Sequence, residues 1–146
     1  FIDLDHQIEQ KSGASIAQIF EFDGEPGFRI RESAALAEAL SEENQVIATG
    51  GGAVLANENR ELMKQRGIII FLNIPPEIQL QRLLKDTKRP LMQTPNKAQR
   101  LQQLADERTP IYQECADLQL ELSSIPLSQV RQRLLNLLTT YEHFHG

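Results

Sequence analysis

Three consecutive glycines follow a short apolar run in the segment Val46-Ile-Ala-Thr-Gly-Gly-Gly-Ala-Val54. Residues without a Cβ atom let backbone N–H groups approach a ligand closely. If Val46–Thr49 is a strand, the glycines lie at its carboxyl end, where open α/β sheets bind small molecules. A glycine cluster fits a plain turn equally well. The segment is therefore a candidate ligand loop that depends on the polar residues around it.

Two carboxylates, Asp3 and Asp5, lie at the end of a first predicted strand, Phe1–Leu4. Side chains two residues apart in an extended chain point roughly the same way. Such a pair suits Mg²⁺ on one side and a substrate hydroxyl on the other. Asp5 also fits as the N-cap of a short helix that Gly13 would end. Both interpretations remain open from these residues.

An arginine with a partner on its own helix face follows. Arg29 lies in a predicted helix from Glu25 to about Glu43, and Glu32 is three positions later. At that spacing the carboxylate can hold the guanidinium in one orientation. An oriented arginine binds a substrate carboxylate well. The alternative is a surface ion pair, which contributes under about 1 kcal/mol.

Two further arginines lie beside prolines. Arg89 belongs to the polar stretch Asp86–Asn96, which predicts a loop. A basic residue on a mobile lid can reach nucleotide phosphates as the lid closes and excludes water, although a solvated loop charge is the alternative. Arg108 precedes Thr109-Pro110, where the predicted helix breaks. An arginine at such a corner can be aimed inward.

The composition bounds the class of protein. The chain has 146 residues and a formal net charge of −5, which predicts one acidic globular domain. This balance argues against a broad surface for nucleic acid or anionic membrane. The single cysteine, Cys115, excludes an internal disulfide and predicts a small buried residue. No signal peptide or membrane span is recognisable, so a cytoplasmic location is predicted.

The hydrophobic pattern alternates between strands and helices, which predicts an α/β fold with crossover helices. The stretch Ile68–Ile74 is apolar on both faces, which is typical of a parallel strand covered by helices on both sides. The other predicted elements are a helix capped by Ser15, a turn at Asp23-Gly24, a helix Glu58–Arg66 capped by Asn57, a helix that follows Pro75-Pro76 and runs to about Lys85, a helix Ala98–Asp117 broken near Pro110, a strand Leu118–Leu122 and a helix Leu127–Tyr141.

In this order, the residues resemble the shikimate kinase family over essentially the whole chain. The resemblance implies an adenylate-kinase-like, three-layer fold with a parallel sheet and helices on both faces. It implies one kinase domain over 1–146, with a substrate-binding subdomain at 5–33 and a lid at 85–97. The matching motifs are Asp3-x-Asp5, Ile8-Glu9, Gly13, Ile19-Phe20, Gly24-Glu25, Phe28-Arg29 with Glu32, Ala48-Thr-Gly-Gly-Gly52, Arg89-Pro90-Leu91 and Arg108-x-Pro110-x-Tyr112.

The family transfers the γ-phosphate of ATP to the 3-hydroxyl of shikimate, on the route to chorismate and the aromatic amino acids. The resemblance implies that Asp5 binds the accepting hydroxyl and is the candidate base. Arg29, oriented by Glu32, and Arg108 would clamp the shikimate carboxylate, with Arg29 also counted as catalytic. The backbone at Gly50, Gly51 and Gly52 would close on the ring hydroxyls.

The resemblance assigns two residues to the other ligands. Asp3 would help to organise Mg²⁺ through its water shell, and Arg89 on the lid would meet the ATP phosphates. The implied partners are shikimate and ATP, without nucleic acid or membrane, and the implied state is a monomer. An ATP-contacting position after the last strand falls near Ile125-Pro126 and does not align clearly.

One family feature lies outside the printed sequence. These 146 residues contain no Gly-x-x-x-x-Gly-Lys-[Ser/Thr] phosphate loop. The family carries this loop on a strand and helix that precede the position of Phe1. We therefore expect the sequence to be a piece of a longer product, without its first strand, phosphate loop and first helix. Two alternatives remain: a kinase for another small acid such as gluconate, or a non-catalytic shikimate-binding fragment.

Overall fold

The computed structural model describes residues 1–76, 78, 97–122 and 126–145, without the side chains of 97, 127 and 142–145. Strands and helices alternate over these residues, as the predicted α/β class requires. In chain order the elements are β1 (Ile2–Asp3), α1 (Leu4–Ser12), α2 (Ile16–Leu40), β2 (Ile47–Ala48), a 3₁₀ turn (Gly52–Leu55), α3 (Asn57–Arg66), β3 (Ile70–Asn73), α4 (Lys97–Cys115), β4 (Leu118–Glu121) and α5 (Leu127–His145).

The strands pair in parallel, as predicted. Within the described residues they form two two-stranded sheets, β1 with β2 and β3 with β4. Ile2 is opposite Ile47 in the first pair, and Ile70 is opposite Leu118 in the second. The strands are shorter than the apolar runs suggested. Leu72 in β3 is 42% exposed, so the expectation that this strand is covered on both faces is wrong at that position.

The start of α1 corrects the expected role of one aspartate. Asp3, not Asp5, is the N-cap, and its Oδ1 accepts a hydrogen bond of 3.0 Å from the backbone N–H of Asp5. Asp5 lies in the first helical turn, because the strand ends one residue earlier than predicted. Gly13 ends the helix with φ 71°, as predicted. The left-handed conformation there favours glycine.

Helix α2 carries the first candidate arginine. Ser15 caps it as predicted, in a capping box in which Ser15 and Gln18 bond each other's backbone N–H groups. The predicted turn at Asp23-Gly24 is a kink within α2, where Gly24 has φ 70° and ψ −178°. Because the kink divides α2 into two helical segments, the second segment starts at Glu25 and aims its side chains independently of the first.

Helix α4 carries the second candidate arginine. It continues from Lys97 to Cys115 with Pro110 inside it, so the predicted break at this proline is wrong. Arg108 therefore projects from within a helix and not from a corner. A smaller correction concerns α3, where Asn57 is the first helical residue and Ala56 occupies the cap position without a side-chain hydrogen bond.

The core lies where α1, α2 and α3 pack together. Leu4 and Leu36 are fully buried, and Cys115 is buried as predicted. None of the helices in the described part of the chain has the length and apolar character needed to span a membrane. The hydrophobic cluster contains Leu4, Ile8, Ile16, Ile19, Phe28, Ala35, Leu36, Ala39, Val54, Met63 and Cys115.

Several predictions fall outside the described residues. These are most of the helix that follows Pro75-Pro76 and runs to about Lys85, the loop Asp86–Asn96 with Arg89, and the lid at 85–97 apart from its last residue. Ile125 is also outside them.

Candidate active site

The glycine triplet follows the carboxyl end of β2, as predicted, and its last residue, Gly52, begins the 3₁₀ turn. Gly50 has φ 76°, a left-handed conformation that side-chain-bearing residues rarely adopt. At Gly51 and Gly52 the requirement for glycine is steric, because an arginine side chain lies against each of them. A Cβ atom on Gly51 would lie 3.2 Å from Nη1 of Arg108, and one on Gly52 would lie 2.5 Å from Cζ of Arg29. The triplet therefore seats two arginines against one turn.

Arg29 is held from several sides. Its Nη1 donates to Oε1 of Glu32 at 2.9 Å, and its Nη2 donates to Oε1 of Glu25 at 3.2 Å. The guanidinium carbon lies 5.2 Å from the centre of the Phe28 ring, within the range of a cation–π contact. Phe28 is itself buried and packs against the ring of Phe20. This packing holds in place the backbone from which Arg29 projects. The predicted Glu32–Arg29 contact is present.

Arg108 approaches the same turn from α4, together with Tyr112 one helical turn later. The Tyr112 hydroxyl donates to the Gly51 carbonyl at 2.7 Å. A Cβ on Gly51 would lie 2.8 Å from that hydroxyl oxygen. The Tyr112 ring also packs on Phe71 of β3, with ring centres 4.9 Å apart. Tyr112 thus ties α4 to the glycine turn and keeps Arg108 beside it.

Glu32 is the most deeply buried carboxylate of the site, at 3% exposure. Burial raises its pKa, the Arg29 hydrogen bond and charge oppose this rise, and the Asp5 charge adds to it. The charge of Arg108 lowers the same pKa to a small extent. Because the charges of Arg29, Asp5 and Arg108 all act on the pKa of Glu32, these four residues form one charged cluster.

A cavity of about 350 Å³ opens beside this cluster. Glu25, Arg29, Glu32 and Gly52 all contribute to its wall. Asp5 and Arg108 are not among the described residues that line it. The cavity therefore lies on the Arg29 side of the cluster.

The two aspartates differ more than their spacing suggested. Asp3 is exposed and caps α1, whereas Asp5 is half-buried and influences Glu32. In the part of the chain that the structure describes, no group of three or more acidic, histidine or cysteine side chains could hold a metal ion. Mg²⁺ is usually held by only one or two carboxylates plus substrate phosphates and water. Asp3, with a second carboxylate oxygen besides its capping one, fits such a partial contact.

Sequence reasoning missed two residues that shape the turn. Asn59, only 3% exposed, donates from Nδ2 to the Ala53 carbonyl at 2.9 Å. The neighbouring Arg60 donates from Nη1 to the Val54 carbonyl at 2.5 Å. The sequence feature that could have identified them is an Asn-Arg pair in the first turn of a helix that follows a glycine loop. The Tyr112 hydroxyl bond was also missed, although Tyr112 belongs to a motif that the sequence analysis identified.

The comparisons with known proteins agree on one family. Residues 1–139 match the family model described as shikimate kinase. The shikimate kinase of Acinetobacter baumannii (strain AYE) is 46% identical over 138 residues, covering 94% of this chain and 77% of that protein. The shikimate kinase of Bordetella pertussis is 44% identical over 142 residues, covering 97% of this chain and 67% of that protein.

Solved structures give the same result. A shikimate kinase from Acinetobacter baumannii in complex with shikimate has a TM-score of 0.92 at 45% identity, covering 96% of this chain and 78% of that one. A shikimate kinase from Bacteroides thetaiotaomicron has a TM-score of 0.84 at 33% identity, covering 95% and 83%. The adenylate-kinase-like α/β fold expected from the sequence is confirmed. The chain belongs to the shikimate kinase family, ATP-dependent transferases that act on shikimate.

Proposed function

We propose that this chain carries the acceptor site of the family reaction, the transfer of the γ-phosphate of ATP to the 3-hydroxyl of shikimate. The observation that carries the proposal is the meeting of two arginines at one glycine turn, Arg29 at Gly52 and Arg108 at Gly51. Two guanidinium groups at one place recognise a carboxylate by charge-assisted hydrogen bonds. A carboxylated acceptor is therefore favoured over a neutral polyol.

Arg29 and Arg108 are held in place by different residues, as a rigid carboxylate clamp requires. Glu32 orients Arg29 through Nη1, and Tyr112 holds the turn against which Arg108 lies. The backbone at Gly50, Gly51 and Gly52 is free of side chains and can close on ring hydroxyls. The resulting rigidity lowers the entropic cost of orienting the acceptor. The subdomain at 5–33 supplies Asp5, Arg29 and Glu32 to this site.

Asp5 is proposed as the group that binds the accepting hydroxyl and takes its proton. It lies in the first turn of α1, next to the parallel pair β1–β2 and within electrostatic range of Glu32. A carboxylate in that position can accept the hydroxyl proton as the phosphoryl group is transferred. Its role is positioning as well as proton transfer, because phosphoryl transfer depends chiefly on alignment and charge neutralisation.

ATP is the phosphoryl donor in the family, and we propose Mg²⁺ as its counterion. Bound Mg²⁺ supplies charge neutralisation at the transferring phosphate. Asp3 would contact the ion through water, and Arg89 would meet the phosphates.

We also propose a monomeric, cytoplasmic enzyme. An ATP titration with and without Mg²⁺, sedimentation analysis and cell fractionation test these points; metal-independent ATP binding, a dimer or a membrane fraction would contradict them.

The carboxylate clamp is tested by calorimetric titration with shikimate. Arg29→Ala and Arg108→Ala should each weaken binding by roughly 1.5–3 kcal/mol, the range for hydrogen bonds to charged groups. Arg31→Ala is the matched control, because Arg31 is an exposed arginine of the same helix that pairs with Asp23 instead. Unchanged affinity in both clamp variants, or an equal loss in the control, would refute the assignment.

The role of Asp5 needs a turnover measurement. Asp5→Asn keeps the shape but removes the charge, so kinase turnover should fall roughly 10²–10⁴-fold if Asp5 acts as the base. Folding should survive, because Asp3 provides the N-cap. Asp23→Asn serves as a control for removing one exposed carboxylate. Turnover of Asp5→Asn close to that of the wild type would exclude Asp5 as the base.

A further inference from the structure

The two carboxylates that pair with Arg29 are not equivalent. Glu32 binds Nη1 at 2.9 Å with its side chain 3% exposed, whereas Glu25 binds Nη2 at 3.2 Å with its side chain 46% exposed. A buried carboxylate cannot leave its arginine without leaving a charge unpaired inside the protein. Glu25 meets no such barrier, because water can solvate it. The Nη2 position is therefore the exchangeable one.

Two other parts of the guanidinium group are closed to an incoming carboxylate. One face lies against Gly52, where even a Cβ atom would approach within 2.5 Å of Nη2. The Nε atom is buried and, within the described residues, has no hydrogen-bond partner. Nη1 and Nη2 each carry two N–H groups. Because Glu32 holds Nη1 from a buried position, the more open position for a carboxylate ligand is Nη2. Glu25 occupies one of the two Nη2 N–H groups in this arrangement.

The position of Glu25 allows it to move away. It follows Gly24, whose φ of 70° marks the kink, and it begins the second helical segment of α2. Glu25 and Arg29 both line the cavity of about 350 Å³, which gives the carboxylate room to turn from the arginine. At the amino end of a helical segment, an ionised carboxylate is also stabilised by backbone N–H groups. Release of Arg29 thus leaves Glu25 in a favourable environment.

We propose that Glu25 is an internal competitor for the substrate carboxylate, a side chain that holds Nη2 of Arg29 until an acceptor with its own carboxylate displaces it. This inference rests on the proposed function, in which Arg29 belongs to the carboxylate clamp. Glu25 thereby lowers the affinity for a carboxylated acceptor and leaves the affinity for an uncharged one unchanged. Its effect is opposite in sign to that of Glu32, which orients the arginine.

The test is a calorimetric titration of the Glu25→Gln variant with shikimate and with the methyl ester of shikimate. Removing the competing charge should tighten shikimate binding about two- to fivefold, the fold-change that corresponds to an exposed ion pair. Binding of the ester, which has no charge to exchange at Nη2, should stay unchanged. Glu21→Gln is the matched control, because Glu21 is an exposed carboxylate one turn earlier on α2. The control should bind both compounds as the wild type does.

The direction of the change in shikimate affinity distinguishes the possible results for Glu25→Gln. Weaker or unchanged shikimate binding in Glu25→Gln, with normal binding by the wild type, would overturn the competitor role and leave the proposed function intact. Equal tightening for the ester or in Glu21→Gln would also overturn it, by showing a general charge effect. Failure of the wild type to bind shikimate would overturn the proposed function, and the competitor role with it.

Discussion

At the scale of single residues, the glycine triplet has a steric role that the sequence alone does not reveal. A ligand loop was expected because glycines expose backbone N–H groups. Gly51 and Gly52 instead lie under the tips of Arg108 and Arg29. The two explanations are compatible, since a turn that admits two arginines also leaves its backbone open between them. The two explanations predict different effects when one methyl group is added to a glycine of this turn.

Gly52→Ala should weaken shikimate binding by about tenfold or more while leaving the fold intact. The new Cβ would displace the Arg29 guanidinium, which is the far end of a flexible side chain and can move. Arg29 would then lose its alignment with the buried Glu32. The free energy of unfolding should therefore also fall, by about 1–3 kcal/mol, the cost of leaving a buried polar group unsatisfied. Calorimetric titration and chemical denaturation measure the two quantities.

The matched control for that variant is Gly67→Ala. Its Cβ would lie 3.9 Å from the Met63 carbonyl oxygen, an ordinary contact, and its φ of −163° is extended backbone that alanine also adopts. It should bind shikimate as the wild type does. Unchanged binding in Gly52→Ala would show that Arg29 does not depend on the open turn.

Glu32 should make stability depend on pH. Because burial raises the pKa of Glu32 above its ordinary value of 4.5, the folded protein binds this proton more tightly than the unfolded chain does. The stabilisation from its protonation is fully present below pH 4.5 and is lost as pH rises through the folded pKa. The wild type should therefore gain stability relative to Glu32→Gln as the solution is acidified from neutral pH.

Urea denaturation of both proteins between about pH 4.5 and 7.5 measures this difference. Other carboxylates titrate in the same range, but they are common to both proteins and cancel in the comparison. A difference that stays constant, or that changes in the opposite direction, would show that the Arg29 ion pair outweighs the cost of burying Glu32.

At the scale of elements, helix α3 supports the turn that seats the arginines. Asn59 and Arg60 donate to carbonyls of the preceding 3₁₀ turn, which has too few residues to satisfy them internally. Asn59 is the sharper test because it is buried. Asn59→Ala leaves the Ala53 carbonyl without this donor, and the free energy of unfolding should fall by about 1–3 kcal/mol.

Asn57→Ala provides the control on the same helix. Asn57 is exposed and bonds only to Glu61 and Arg60 side chains among the contacts that the described residues make, so its loss should cost under about 0.5 kcal/mol. If Asn59→Ala also weakens shikimate binding, α3 positions the turn as well as stabilising it. Equal stability of the two variants would contradict the proposed support.

Elements were predictable from sequence where a local rule decided them. Gly13 and Ser15 marked helix ends correctly, because caps depend on nearby backbone groups. Pro110 misled the prediction, because packing retained a helix that propensity disfavours. Asp3 and not Asp5 is the N-cap, because the strand ends one residue earlier than predicted. Hydrogen bonds such as that of Tyr112 with Gly51 join segments 61 positions apart, which no local pattern reveals.

At the scale of the whole molecule, the site is assembled from three separate parts of the chain. Helix α2 supplies Arg29, the segment after β2 supplies the glycine turn, and α4 supplies Arg108. The hydrophobic cluster joins the same parts, since it includes Phe28 of α2, Val54 of the turn and Cys115 of α4. A ligand that binds both arginines must therefore stabilise the tertiary contacts between these elements.

Shikimate should consequently raise the melting temperature of the protein. Saturation at about 100 times the dissociation constant adds about 2.7 kcal/mol to the free energy of unfolding, because the ligand binds the folded state. For a domain of this size, each kcal/mol corresponds to roughly 2–4 °C, so the rise should be about 5–11 °C. The double variant Arg29→Ala/Arg108→Ala, measured at the same shikimate concentration, should show almost none of it. Arg31→Ala, which keeps both clamp residues, should retain the full rise; a rise of equal size in the double variant would place the shikimate site away from the glycine turn.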